Sequence, residues 1–267
     1  MVSVVVSSYN HCDYIGACLD GILMQETSFP FEIILGEDES NDGTREICIK
    51  YAEKHPDTIR LFLRSREDVI YINGNPTGRF NFLECLKAGK GKYIALCEGD
   101  DYWTDPLKLQ KQVDFMEANL GFGICFHKVK LFNEETHEFL IDTITRNVNE
   151  ITNIAELVKG NFMHTPSVML RNDFTIPAWF KESPLGDWTL YMLAIKGRNI
   201  KKFDKEMAVY RQHNESIWSK KSKEYRVSNT LKSFSLIYDN LLLPKDPTSL
   251  LREKIKYLTK VINQLSK

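Results

Sequence analysis

No apolar run in this 267-residue chain approaches the roughly 18 residues that a membrane span needs. The chain also lacks the two glycine loops that most directly announce a bound nucleotide. Neither G-x-G-x-x-G nor G-x-x-x-x-G-K follows the first strand, so any phosphate bound here must be held by side chains and a metal. No two cysteines share a C-x-x-C spacing; of the six, at 12, 18, 48, 85, 97 and 125, Cys97 and Cys125 fall inside apolar runs and pack as small hydrophobes. Neither a zinc site nor a disulfide scaffold is suggested, and a reduced, cytoplasmic setting is expected. Met1 leads straight into a β-branched run with no basic region or cleavage site, which argues against a secretory leader. The formal net charge is −1, which gives no global case for nucleic-acid binding. The asymmetry that exists is terminal. Residues 219–267 hold 11 Lys/Arg against 4 Asp/Glu (+7), and the rest hold 24 against 32 (−8).

What is present is an alternation of strand and helix. Val2 to Val6 reads as a buried strand, Ser7-Ser8-Tyr9-Asn10 as its loop, and Ile15, Leu19, Ile22 and Leu23 as a helix face. Phe31 to Leu35 is a second strand ending in Gly36-Glu37-Asp38-Glu39-Ser40-Asn41-Asp42-Gly43-Thr44, and a helix is predicted over 44–54. In that loop Asp38 has the position to accept hydrogen bonds from a base or ribose, whereas Ser40 and Asp42 read as turn and cap residues. Ile59 to Leu63 is a third strand. Residues 65–79 read as a loop with turn chemistry at Asn73-Gly74-Asn75-Pro76, followed by a helix over 80–89. Arg79, just before that helix, is either a phosphate contact or a solvated surface residue.

The richest stretch is Tyr93 to Trp103. A short apolar strand ends in Glu98, Asp100 and Asp101, then Tyr102 and Trp103. Carboxylates this close repel unless a cation answers them, and hard oxygens suit Mg²⁺ or Mn²⁺; the bland alternative is an acidic turn capping the next helix. Three loops at the carboxyl ends of neighbouring strands thus carry the notable polar residues, which is where open α/β sheets bind ligands.

Beyond Thr104-Asp105-Pro106 the pattern predicts a helix to about Asn119, a strand over 122–132 and a hairpin tip over 134–138. A helix near 152–159 and a strand over 167–170 follow. Pro184-Leu185-Gly186-Asp187-Trp188 opens a helix in which Asp187 is either a cap or a functional carboxylate, and Val209 to His213 ends a further strand. Val227, Leu231, Phe234, Tyr238 and Leu241 form one helical stripe and Leu251, Ile255, Leu258, Ile262 and Leu265 another, separated by Pro244 and Pro247. This hairpin is expected to pack on the core or on a second subunit, as in a homodimer; a basic, membrane-facing surface is the sharper alternative.

These motifs, in this order, resemble family 2 glycosyltransferases over roughly residues 1–218. Val4-Val5-Val6-Ser7-Ser8-Tyr9-Asn10 is similar to the family's first strand and loop, and Glu32-Ile33-Ile34 through Gly43-Thr44 to its acidic second-strand loop. Tyr93 to Trp103 is similar to its D-x-D segment, and His164 to Arg171 to a Ser-Val-Met strand of some members. Gly186-Asp187 stands where the family has its catalytic carboxylate, and Tyr210-Arg211-Gln212-His213 where it has a late His. The resemblance implies a GT-A fold: a Rossmann-like, mostly parallel α/β sheet flanked by helices, with a C-terminal helical extension. It implies a nucleotide-sugar-binding half over 1–103, an acceptor half over 104–218 and a helical hairpin over 219–267. Ser7, Ser8, Tyr9, Asp38, Arg79 and Glu98 would line the nucleotide site. Asp100, Asp101 and His213 would serve a Mn²⁺ or Mg²⁺ ion, His164, Thr165 and Trp103 the sugars, and Asp187 would be the general base. The implied partners are a nucleotide-sugar donor, UDP by family habit, and a glycan or lipid-linked acceptor. The expected setting is the cytoplasm, and the basic C-terminal helices are what would bring the protein to the inner face of a membrane.

Three departures stand out. Glu98 replaces the first Asp of D-x-D, Glu37 replaces the first acid of the second-strand loop, and Gly186 stands where many members carry Glu. Gln212 to Trp218 does not reproduce the Gln-x-x-Arg-Trp motif of processive synthases, which favours single-sugar transfer. A sugar nucleotidyltransferase is a competing reading, disfavoured because Ser7 to Asn10 is no glycine- and lysine-rich phosphate loop. A non-catalytic binding module is another, disfavoured by the retained Asp38, Asp100 and Asp187.

Overall fold

The first strand forms where β-branched residues are densest, and its unbroken apolar run places it in the middle of a sheet. In the computed structural model, which describes residues 1–213 and 221–265, the order is β1 (Val2–Ser8), α1 (Ile15–Leu23), β2 (Phe31–Glu37), α2 (Thr44–Lys54) and β3 (Ile59–Leu63). A small hairpin of β4 (Ile70–Ile72) and β5 (Asn75–Thr77) then leads to α3 (Arg79–Ala88) and β6 (Tyr93–Glu98). β1 pairs in parallel with β2 and with β6, and β2 with β3. The expected loop over 65–79 is therefore partly strand. Asn73 and Gly74 both take positive φ, 51° and 75°, the backbone that a two-residue hairpin turn requires. Arg79 is the first residue of α3 rather than the residue before it.

The second half supplies β7 (Tyr102–Trp103), α4 (Lys108–Ala118), β8 (Phe122–Asn133), β9 (Glu138–Leu140), β10 (Ile151–Thr152), α5 (Ile154–Leu157), β11 (Met169–Arg171), α6 (Gly186–Ala194) and β12 (Asn199–Gln212). β11 lies antiparallel between β6 and β8, and β12 runs parallel to β8. One sheet of ten strands results, with the order β10-β12-β8-β11-β6-β1-β2-β3, β7 paired to β12 and β9 paired to β8. The helix expected over 152–159 shrinks to α5. Asn153 caps it by accepting from Ala155 N, and the chain leaves through Gly160 at φ 128°. The strand expected from Ser167 starts at Met169, because Thr165–Ser167, with Pro166 inside, forms a 3₁₀ turn.

Alternate strand residues feed two cores. Val5, Ile34, Leu96, Ile124 and Phe126 point to one face, and Val4, Val6, Ile33, Leu35, Ala95 and Cys125 to the other. The final helices, α7 (Lys223–Asn240) and α8 (Lys245–Leu265), join the first of these with Phe234, Ile237, Leu251 and Leu258. The Phe234 ring stacks on Trp188 of α6 at 4.3 Å, and Trp188 Nε1 donates to Leu157 O. Of the two sites left open for the hairpin's apolar stripes, the structure takes the core. Pro247 does not separate the helices: it lies in the first turn of α8, where a missing N–H costs no helical bond. No described helix is long and apolar enough to cross a membrane. Positions 214–218 of the absent processive motif, and Lys220 and Lys267 of the basic tail, lie outside the described residues.

Candidate active site

The carboxyl ends of β1, β2 and β6 lie side by side, so their loops meet. The β1 loop is stitched to the β2 loop: Asn10 N donates to Ser40 Oγ (2.9 Å), His11 N to Thr44 Oγ1 (2.7 Å) and Cys12 N to Asp42 Oδ2 (3.0 Å). Asp42 also accepts from Thr44 N and Oγ1; burial opposes its ionisation, but these donors hold its carboxyl down at about 2. Asp42 and Ser40 are thus the loop-tying residues their sequence suggests. Glu37 is fully buried and binds Arg45 and Ser40 N, so it props the loop and does not reach the crevice.

Asp38 lies next to this stitching and is 3% exposed, with its N–H donated to Ser8 O at 3.0 Å. Burial raises its carboxyl, working against the Arg66 guanidinium that contacts its Oδ2 at 2.8 Å. Arg66 also lies 4.1 Å over the ring of Tyr9, itself 37% exposed. Tyr9, Asp38 and Arg66 form a compact aromatic, acidic and cationic corner suited to a flat heterocycle. Ser8 is buried with Oγ 3.4 Å from His11 Nδ1, and Ser7 Oγ is buried with no hydrogen-bond partner among the described residues.

At the end of β6, Glu98, Asp100 and Asp101 place carboxylate oxygens within 4.8 Å of one another. Gly99 makes this possible. A Cβ there would meet His11 Nδ1 at 2.7 Å and Ser8 Oγ at 2.8 Å, so only glycine lets the acidic loop lie against the β1 loop. His213 Nε2 stands 3.1 Å from Asp100 Oδ2, and His11 Nε2 3.9 Å from the same oxygen. Burial works to raise the Asp100 carboxyl, but the His213 hydrogen bond and the two imidazoles outweigh it and hold it below its usual range. Asp101 is pushed well up, first by burial and then by the Asp100 and Glu98 charges. Its Oδ1 accepts from Arg211 N at 2.9 Å, tying the end of β12 to the site. Glu98 faces the open crevice, yet crowding at its floor, then the charges of Asp100 and Asp187, push its carboxyl up to about 8.

A divalent cation fits this cluster. Asp100 Oδ1, Asp101 Oδ2 and His213 Nδ1 are buried without hydrogen-bond partners among the described residues. Hard carboxylate oxygens beside one imidazole are donors that Mn²⁺ and Mg²⁺ accept.

Asp187 closes the site from the other side. It is the second residue of α6, where its carboxylate accepts from first-turn backbone N–H groups as a cap does, and its Oδ2 also accepts from Asn161 Nδ2 at 2.8 Å. Partial burial raises its carboxyl against the opposing Trp188 N–H, Arg79 charge and Asn161. Arg79 is neither solvated nor turned to an open phosphate path. It is 8% exposed, donates from Nη2 to Ser183 O at 2.9 Å, and is pushed down to about 10 by burial, with Asp187 opposing. A Cβ on Gly186 would sit 1.6 Å from Arg79 Nη1. The glycine that departs from the family pattern is therefore the seat of this guanidinium.

The three sugar-site candidates separate. Trp103 is corrected by the structure: at 1% exposure it cannot touch a sugar. Its strand pairs with β12, its Nε1 donates to Pro166 O, and the buried Lys108 ammonium lies 3.8 Å from its ring. His164 binds Asp142 Oδ2 at 2.9 Å, packs tilted against the Tyr210 ring at 4.7 Å and lines a cavity of about 190 Å³ with Phe126, Arg146 and Lys202. Thr165 begins the neighbouring 3₁₀ turn, beside Tyr191. The Tyr210 phenol is pushed up by burial and then by Asp101, Glu98, Asp100 and Asp187, so it sits where both acidic groups are felt. Sequence reasoning missed His11, Arg66, Asn161 and Arg211 as neighbours of the site. Only His11, directly after Tyr9-Asn10, carried a local signal.

The description "Glycosyl transferase family 2" matches residues 3–175. The Escherichia coli protein WfaP, named UDP-Glc:alpha-D-GlcNAc-diphosphoundecaprenol beta-1,3-glucosyltransferase, is 30% identical over 246 residues, covering 88% of this chain and 87% of that one. An uncharacterized Mycobacterium tuberculosis protein is 37% identical over 223 residues, 81% of this chain, which spans 60% of that relative's length. Among solved structures, S. aureus TarS 1–349 in complex with UDP-GlcNAc superposes with a TM-score of 0.66 at 16% identity, over 97% of this chain and 71% of that one. The mannosyltransferase PcManGT from Pyrobaculum calidifontis, in complex with GDP-Man and Mn²⁺, gives 0.65 at 16% identity, over 96% and 69%. At such identities the likeness is one of fold, the GT-A arrangement. With its acidic strand-end loops, its opposing Asp187 and a family match over most of its length, the chain belongs to glycosyltransferase family 2.

Proposed function

We propose that the protein moves one sugar from a nucleoside-diphosphate sugar to a hydroxyl of a glycan or lipid-linked saccharide, by single displacement with inversion, at the inner face of a cell membrane. The observation that carries this reading is the meeting of two acidic groups from distant parts of the chain. Glu98 at the end of β6 is clustered with Asp100 and Asp101, and Asp187 at the start of α6 is near enough for its charge to bear on Glu98, which supports reading them as two sides of one site. Displacing a nucleoside diphosphate needs charge stabilisation on the leaving side and proton removal on the attacking side.

On the donor side, Tyr9, Asp38 and Arg66 would take the base, with Ser7 and Ser8 beside the ribose. Asp100 and His213, with Asp101 and Glu98 behind them, would hold a divalent cation, which supplies Lewis-acid stabilisation of the departing diphosphate. On the acceptor side, Asp187 would take the hydroxyl proton, a role worth about 10²–10⁴-fold. Arg79 and Asn161 would keep Asp187 ionised and aimed, and His164 and Thr165 would flank the sugars. UDP is the favoured carrier because WfaP is named for a UDP-sugar and TarS was solved with one. The lipid-linked acceptor follows the acceptor that WfaP's name prints.

The test is calorimetric titration with UDP, GDP and dTDP, each with and without Mn²⁺, on the wild type and on Asp100→Ala. Mn²⁺-dependent binding of UDP, lost in the variant, is expected. A folded wild type that binds none of the three would remove the donor site.

A further inference from the structure

The described residues expose fifteen large hydrophobic side chains, and four of them fall within six positions: Phe139 (59%), Leu140 (39%), Ile141 (87%) and Ile144 (51%). From this concentration we infer that the arm over 139–144 is the surface by which the protein docks on a lipid bilayer. The inference deepens the lipid-linked acceptor reading and rests on it only for why docking is useful.

The arm is an ordered platform. Phe139 and Leu140 belong to β9, in register with Phe132 and Leu131 of β8, and the Phe139 ring lies 5.1 Å from that of Phe132. Past the strand, Asp142 pins the chain by accepting from Ile144 N and from Thr145 N and Oγ1, and it pairs with His164. An exposed apolar cluster held in place on a folded domain marks an interaction site.

The platform is tied to the active crevice. Glu134, at the start of the turn, donates its N–H to Gln212 O and pairs with Arg211 at 2.6 Å. The Arg211 main chain is in turn held by Asp101. A membrane gripped by the arm therefore lies beside the crevice that a lipid-linked sugar must enter.

Two other assignments fit less well. The C-terminal helices spend most of their apolar stripes on the core, and among the described residues the exposed face of α8 presents Arg252, Lys256 and Lys260 with only Tyr257 and Leu265 as exposed large apolar residues, eight positions apart. That face can attract anionic lipid, but its apolar side chains are scattered where those of the arm are concentrated. A second copy of the chain fits poorly because β9 has only three residues, while Ile141 and Ile144 lie beyond it. A two-fold contact would also bring the outward Lys128 and Lys130 of β8 toward their own copies. Next to a bilayer Lys130 can reach lipid phosphates, its Nζ lying 5.5 Å from the Phe139 ring with its stem along apolar surface, while Lys128 pairs with Asp204. Glu135 and Glu138 at the turn make the attachment depend on insertion more than on lipid charge.

The experiment is co-sedimentation of the full chain with vesicles of phosphatidylcholine alone and of phosphatidylcholine with phosphatidylglycerol, at low and high salt. Phe139→Ser/Ile141→Ser/Ile144→Ser is expected to lose at least about tenfold in partitioning on both vesicles. Ile141→Ser alone, at a position too exposed to threaten folding, is expected to lose about threefold. Arg252→Gln/Lys256→Gln/Lys260→Gln should keep the binding that survives high salt, since only exposed charge is screened. Arm variants that sediment with vesicles like the wild type would overturn the inference, as would a wild type that binds neither vesicle. A wild-type dimer that the arm variant converts to monomer would assign the face to a second copy. Mn²⁺-dependent UDP binding, measured in parallel, separates the two proposals: its absence sinks the donor reading and leaves the vesicle result standing.

Discussion

The two walls of the crevice are built on different principles. The wall made by β1, β2 and β6 takes Ser8, Asp38, Glu98 and Asp100 from the carboxyl ends of adjacent parallel strands. Its loops are cross-linked by Asn10, His11, Cys12, Ser40, Asp42 and Thr44. The opposite wall takes Asn161 from coil, Asp187 from the first turn of a helix, and Arg211 and His213 from the end of a long strand whose register shifts along β8. One wall is fixed by several hydrogen bonds between the loops of adjacent βα units. The other is fixed by fewer contacts, single side chains such as Asn161 on Asp187, and Arg211 and His213 meet the acidic loop from 110 and 113 residues away.

The comparison breaks first at the metal cluster. Asp100→Ala removes the carboxylate that His213 and His11 face, and turnover measured by nucleotide release should fall at least about 10³-fold. Next comes the opposite wall. Asp187→Asn keeps the Asn161 contact but cannot accept a proton, and transfer should fall about 10²–10⁴-fold.

Gly186→Ala probes the seat of Arg79. The new Cβ would displace a guanidinium 1.6 Å away, and misplacing the groups around Asp187 should lower turnover by about tenfold. Arg79 favours the ionised form of Asp187, so moving it away raises that carboxyl further. The base acts when ionised, and the acid limb of the pH–rate profile should therefore move to higher pH. An unmoved limb in Gly186→Ala and in Arg79→Met would end the positioning role. If the two changes act on one contact, their effects on turnover should be less than additive.

The smallest effect is expected at the nucleoside corner. Arg66→Ala removes a cation stacked on exposed Tyr9, worth about 0.5–1 kcal/mol, and UDP affinity should weaken about two- to fivefold in calorimetry. A loss as large as that of Asp100→Ala would show that Arg66 does more than shape the corner.

The difference between the walls also explains what was legible beforehand. β1, β2, β3 and β6 could be read to within about two residues because parallel strands here are short apolar runs, and at β2 and β6 acidic residues mark the end. Trp103 was not legible. Its two-residue strand pairs with β12, whose partner residue Ala208 is far along the chain, and that pairing turns the indole inward. Arg79 misled for the same reason: its side chain is directed by Ser183, Pro184 and Gly186, none of them near it in sequence. The Asn-Gly hairpin over 70–77 was readable in principle from Asn73-Gly74 after the apolar Ile70-Tyr71-Ile72, but its second strand, Asn75-Pro76-Thr77, carries no strand pattern of its own.

The division of labour between the walls is tested most directly by one comparison: calorimetric binding of UDP with Mn²⁺ to Asp187→Asn, with sugar transfer measured on the same sample. The account predicts wild-type UDP affinity with transfer reduced by at least about 10²-fold. UDP binding lost as in Asp100→Ala, or transfer left intact, would contradict it.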